Sequence, residues 1–238
     1  MKSNKRRNTR KRRQTKKRRQ CGGEDIQYPP DSIKDYIKHA VYVNLDARTD
    51  RKEQIEKHLK VFSPEQVTRV PGVAEKEHPY LGCMKGHLAA LELAQKNGWE
   101  NVLILEDDAV WSRFVKDAYP IFEKLVKQPE GYDVIMLGGT YADYDKNTFR
   151  VKKSQAGSSY LVHKSYYDKI VKRAQEVVKN FVPGVTKDED ITPDVAVFKP
   201  LQATDKWFIV VPPLMVQGKS YSNILKKNVN YKGEFTHS

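Results

Sequence analysis

The sequence predicts an α/β protein: a mixed, mostly parallel sheet covered by helices on both faces. Six short β-rich runs alternate with segments whose apolar residues recur at helical spacing, the pattern of strands joined by helical crossovers. A chain of 238 residues can bury a substantial core as one domain. Several runs also end on polar or glycine residues, and the strand ends of such a sheet border its ligand site.

Taken in order, "CGGEDIQYPPDS" (21–32) carries Gly-Gly and Pro-Pro and reads as a linker. Residues 1–32 are therefore assigned to a tail and linker, and 33–238 to the domain. "HAVYVNLD" (39–46) is the first strand, and 50–62 is a surface helix with Ile55, Leu59 and Phe62 on its inner face. "EQVTRVPGV" (65–73) is a second strand, closed by Pro71 and Gly72. The helix over 82–98 places Met84, Leu88 and Leu91 on one stripe and ends at Gly98. "NVLILEDD" (101–108) is the third strand. The helix over 112–128 is expected to kink or restart at Pro120. "YDVIMLGG" (132–139) and "SSYLVHK" (158–164) are strands, followed by a helix over 165–181 with Ser165 and Asp168 placed as a capping box. "KWFIVVPP" (206–213) is the last clear strand. No internal repeat is present.

The net charge of +13 is confined to one place. Residues 1–20 hold 12 of the 43 Lys and Arg and no acid, leaving 31 basic against 30 acidic residues elsewhere. With no apolar residue beyond Met1, this tail is expected to be disordered and to contact polyanions without sequence preference. An import signal is the sharper alternative. No apolar run follows the basic stretch, as a secretory signal would need, and none approaches the length of a membrane span. Cys21 and Cys83 make no disulfide framework, which suits a reducing compartment such as the cytoplasm.

The strand ends expected to converge are Asn44-Leu45-Asp46, Glu106-Asp107-Asp108 and Gly138-Gly139. Three adjacent acids repel, so water, a basic neighbour or a metal must offset them. A solvated turn capping the strand is one reading. The other uses alternation: Glu106 and Asp108 share one side of the chain and can bridge a hard divalent cation. Asn44 and Asp46 suit either turn chemistry or a ligand. Arg48 and Arg51 suit either a diphosphate or the coat of a helix start. His87 flanks an apolar stripe and fits a structural histidine as well as a ligand, and Cys83 reads as a small packed residue. Asp188, Glu189, Asp190 and Asp194 form either an acidic helix start or a source of acid–base chemistry.

"VYVNLDARTDR", "GCMKGHLAAL" and "VLILEDDAV", in that order and spacing, resemble glycosyltransferase family 25, which includes lipooligosaccharide and procollagen galactosyltransferases. "SSYLVHKSYYDKIV", the proline–aspartate element in "ITPDVAVF", and "PPLMVQGKSYSNI" extend the resemblance over about residues 41–224. It implies a GT-A-type single domain that moves a sugar, galactose or glucose, from a UDP-sugar to a glycan or protein hydroxyl, with inversion. It also implies Mn2+ or Mg2+ bridging the donor diphosphate. By the same resemblance Asp108 and Glu106 are the metal ligands, and Gln217 stands where many GT-A enzymes place a histidine that completes the metal shell. Asn44 and Arg51 fall at the nucleotide, and Asp107 faces either the sugar hydroxyls or a helix behind. Lys219 and Ser220, following Gly218, suit the diphosphate. Asp194 is expected to act as the base or as the acid that orients the acceptor, with Asp190 in reserve. One departure is Gly86, which replaces the family's serine beside His87.

Two other classes compete with this reading. A nucleic-acid-binding protein is suggested by the tail, but the near-neutral remainder lacks a basic stripe interleaved with aromatics. A transferase fold that binds without turnover is the second, and the intact carboxylates oppose it. A basic tail without a secretory signal suits a bacterial cytoplasm or a large DNA virus in a host cytoplasm.

Overall fold

A computed structural model describes residues 26–222 and 227–229. Residues 1–25, which hold the basic tail and the start of the linker, lie outside the described residues, as does the chain after 229.

The first elements are a short helix α1 (Ile33–Tyr36), strand β1 (Ala40–Asn44), helix α2 (Thr49–His58), strand β2 (Val67–Pro71) and helix α3 (Pro79–Asn97). Strand β3 (Asn101–Glu106) leads through the acid turn into β4 (Ala109–Trp111) and helix α4 (Val115–Lys127). Strand β5 (Val134–Met136) precedes a hairpin of β6 (Thr140–Tyr144) and β7 (Val151–Gln155), then β8 (Ser159–His163) and helix α5 (Tyr167–Lys179). A 3₁₀ turn at Asp188–Ile191 and a π-helical turn at Pro193–Phe198 run into α6 (Lys199–Gln202). Strands β9 (Trp207–Ile209), β10 (Met215–Gln217), β11 (Ser220–Ser222) and β12 (Lys227–Val229) complete the described chain.

The central sheet has the order β2-β1-β3-β8-β5-β9. Strands β2, β1 and β3 run parallel, and β5 and β9 run parallel. Strand β8 is antiparallel to both its neighbours. The protein is thus mixed α/β with a mostly parallel sheet. Alternation along β3 explains why both faces are covered: Leu103 and Leu105 enter a core with Ile55, Phe122 and Leu125, while Val102 and Ile104 enter a second with Met84, Leu91 and Ile170. A strand buried on both faces reads as a near-continuous apolar run, and β3 is apolar from Val102 to Leu105. Among the described residues no helix is long and apolar enough to cross a membrane.

Three expectations from sequence are corrected, and some elements are added. Helix α4 does not restart at Pro120 but continues through it to Lys127. Pro120 is exposed in the second turn, where its missing N–H removes one hydrogen bond while the apolar face stays packed. The capping box is not formed: Tyr166 precedes α5, Ser165 bonds the His163 ring at 2.8 Å, and Asp168 accepts from Gln95 at 2.7 Å. The β6–β7 hairpin and three short strands after Leu214 are additions. Gly138-Gly139 does not open onto a ligand: the Met215 carbonyl crosses so close over Gly138 that a Cβ there has no room.

Candidate active site

The parallel strands end side by side, with Asn44 opposite Pro71 and Val43 opposite Glu106. Beyond these ends lies a cavity of about 690 Å³. Leu45, Gly72 and the 73–77 loop form one wall, Cys83 and His87 of α3 the floor, and the three acids with Arg48, Arg51 and Gln217 the far side. It occupies the carboxyl edge, where open α/β sheets bind ligands.

The three acids have different partners. Asp107 accepts from Arg51 at 2.7 Å on one oxygen and from the Asn44 amide at 2.8 Å on the other. Arg51 also stands 3.2 Å from Asp108 Oδ2. A basic neighbour therefore offsets part of the repulsion. Asn44 is 2% exposed and not part of the cavity wall. Its amide also donates to the Arg48 carbonyl at 3.0 Å, and its oxygen accepts from Arg69 at 3.1 Å. Asn44 is a bracket for Asp107. Asp46 is exposed and paired with Arg69.

Asp108 is 4% exposed, and its Oδ1 is buried without a hydrogen-bond partner. Burial first, then the charge of Glu106, pushes its carboxyl up to about 7, against the pull of Arg51 and the nearby Gln217 amide. Glu106 faces the cavity, accepting a long hydrogen bond from Gln217 Nε2 at 3.4 Å. Antiparallel pairing of β10 with β4 sets Gln217 opposite Ala109, and Gly218 N–H donates to the Asp108 carbonyl at 2.8 Å. This donor set fits a hard cation: two carboxylates, one orphaned oxygen, and an amide whose carbonyl faces inward on a flip.

Arg48 and Arg51 both donate to the Tyr221 carbonyl, at 2.9 and 3.0 Å, tying β11 to the acid side. Lys219 is exposed beside it and Ser220 opens β11. Of the acidic run, Asp188 reaches the cavity wall, paired with the His78 ring at 3.0 Å. Asp194 accepts from the Ala156 N–H at 3.2 Å and opens the π-helical turn. Asp190 is exposed. Gly86 has a packing cause: a Cβ there would stand 2.7 Å from Val43 Cγ1, so α3 lies directly on β1.

Sequence reasoning passed over Arg69, Tyr160 and the Asp188–His78 pair. Only Asp188 had a signal, its place in the acidic run. Arg69 and Tyr160 sit within strand patterns that carry no sign of a site.

No protein-family model matches the chain, and no curated protein matches it. Solved structures of similar architecture include a mannose-1-phosphate geranyltransferase from Thermus thermophilus (TM-score 0.45, 11% identity, 75% of each chain). A glycosyltransferase involved in the glycosylation of the major capsid of PBCV-1 is similar at TM-score 0.47 and 12% identity, over 75% of this chain and 92% of that one. HddC from Yersinia pseudotuberculosis is similar at TM-score 0.39 and 10% identity, over 79% of this chain and 76% of that one. All three scores lie below 0.5, so the functional reading rests on the site.

Proposed function

We propose that the chain is a metal-dependent, inverting glycosyltransferase of the GT-A type. Its donor is a UDP-sugar carrying galactose or glucose, and its acceptor a hydroxyl of a glycan or protein. The observation that carries the reading is the buried, unpartnered Asp108 oxygen beside Glu106 at the end of a parallel strand. The ordered family 25 motifs support it.

In such a transfer the bond from the anomeric carbon to the diphosphate breaks, and negative charge grows on the phosphate oxygens. Glu106, Asp108 and the carbonyl of Gln217 would hold Mn2+ or Mg2+, which supplies Lewis-acid stabilisation of that charge. Arg51, braced by Asp107, sets a fixed positive charge beside the same oxygens without reorganising during the reaction. Both Asp107 oxygens are engaged by Asn44 and Arg51, so Asp107 is assigned to positioning. Lys219 and the backbone at Ser220 are assigned to the diphosphate.

Asp194 is assigned to take the proton from the acceptor hydroxyl as that oxygen attacks. A second reading follows from Asp188, which lines the cavity and whose partner His78 can share the proton. The two separate by mutation. Asp194→Asn is expected to lower transfer by about 10²- to 10⁴-fold while UDP and Mn2+ bind as in the wild type. Full transfer by Asp194→Asn with loss in Asp188→Asn would move the base to Asp188. UDP release from UDP-galactose or UDP-glucose with Mn2+, absent in Asp108→Asn, tests the function itself. Equal release by that variant would refute it.

A further inference from the structure

The floor of the cavity holds a second donor set that differs in chemistry from the acid pair. Cys83 and His87 are four residues apart on α3, so both side chains leave one face of the helix. Glu106 meets them from β3. One ligand atom from each lies within 4.8 Å of the others, and His87 Nε2 is 3.6 Å from Glu106 Oε1.

His87 decides what this cluster is. The residue is 1% exposed, and Nε2 is buried without a hydrogen-bond partner. Its other nitrogen, Nδ1, meets the Tyr160 hydroxyl at 2.9 Å. A histidine that relayed a proton between Cys83 and Glu106 would need one nitrogen for each, and here Nδ1 is taken by Tyr160. With the ring proton on Nδ1 and donated to Tyr160, Nε2 presents a lone pair to the cavity. The hydroxyl can accept the Nδ1 proton or donate its own; in the accepting arrangement it is the outer partner that commonly accompanies a metal-ligating histidine.

We propose that Cys83, His87 and Glu106 form a site for a thiophilic divalent cation, with Zn2+ the natural occupant and a cavity water as fourth ligand. Thiolate, imidazole and carboxylate with one open position make a zinc donor set. Ligand atoms around tetrahedral zinc stand about 3.5 Å apart, so side-chain rotations of about an ångström close the cluster. On binding, the Cys83 S–H bond breaks, its proton passes to bulk water, and the sulfur electron pair replaces one water of the hydrated ion. Burial, then Glu106, Asp194, Asp108 and Asp107, hold the Cys83 thiol protonated in the absence of metal. The same negative field favours a dication. Glu106 belongs to both donor sets, so zinc here withdraws a carboxylate from the hard-cation pair. That consequence rests on the transferase reading; the zinc site itself does not.

Co2+ as a spectroscopic probe tests the site on the full-length protein. Titration should produce a thiolate-to-cobalt charge-transfer band saturating at one equivalent, and Zn2+ should bleach it. The band should vanish in Cys83→Ser, persist in Cys21→Ser and in Asp108→Asn, and need about 10- to 100-fold more Co2+ in Tyr160→Phe. Absence of the band in the wild type, or its survival in Cys83→Ser, would overturn the proposal. Should Cys83→Ser fail to fold, X-ray absorption of the zinc-loaded wild type decides, since a shell without sulfur refutes the site. Mn2+ competition tests the sharing of Glu106 separately: Co2+ at the thiolate should weaken Mn2+ binding. Unaltered Mn2+ affinity overturns the sharing, and a cobalt band in a protein that never uses Mn2+ leaves the site standing while the transferase reading falls.

Discussion

Asp108 joins a stability effect and the proposed metal-binding role in one side chain. Its carboxyl titrates near 7 instead of the ordinary 3.8 because burial and Glu106 oppose its charge. A folded-state value raised above the unfolded one gives stability that is full below about pH 3.8 and lost as pH rises through about 7. In metal-free protein, Asp108→Asn is therefore expected to be more stable than the wild type at pH 8, by about 1–3 kcal/mol. The gap should close as pH falls toward 4, and turnover should be absent throughout. Denaturant melts at the two pH values check this; a less stable variant at pH 8 would mean that Arg51 compensates the charge fully. The sequence showed which acids share a side, because alternation along a strand is strict. It did not show that Arg51 and Asn44 occupy Asp107, since that depends on where α2 starts relative to β3.

At the scale of elements, the contact of α3 with β1 sets the depth of the cavity floor. Gly86 permits that contact, so Gly86→Ser should force Val43 aside and cost about 1–3 kcal/mol. A lowered Tm checks it, and an unchanged Tm would show that the helix can shift without loss. Elements that build the site were legible because β1 and β3 are apolar on both faces and end abruptly in polar residues. Strands β10 to β12 and the β6–β7 hairpin were not legible. They are mostly three to five residues long, and only their partners make them strands. The apparent capping box at Ser165 failed because the His163 ring and Gln95 compete for the same side chains.

For the whole molecule, charge separates by region. The tail carries 12 of the 43 basic residues, and the proposed chemistry resides in the near-neutral remainder. Removing residues 1–20 should abolish salt-sensitive binding to DNA or heparin and leave UDP release unchanged; undiminished DNA affinity would place a polyanion surface on the domain. The architecture was legible as a whole because alternating strands and helices allow few alternatives, whereas the antiparallel insertion of β8 between β3 and β5 depends on long-range pairing. The central claim is that Glu106 and Asp108 hold a divalent cation against a nucleoside diphosphate. Calorimetric titration of UDP in the presence and absence of Mn2+ tests it most directly. The account predicts Mn2+-dependent UDP binding by the wild type and its loss in Asp108→Asn with the protein still folded. UDP binding of equal affinity without Mn2+, or unimpaired binding by Asp108→Asn, would contradict it.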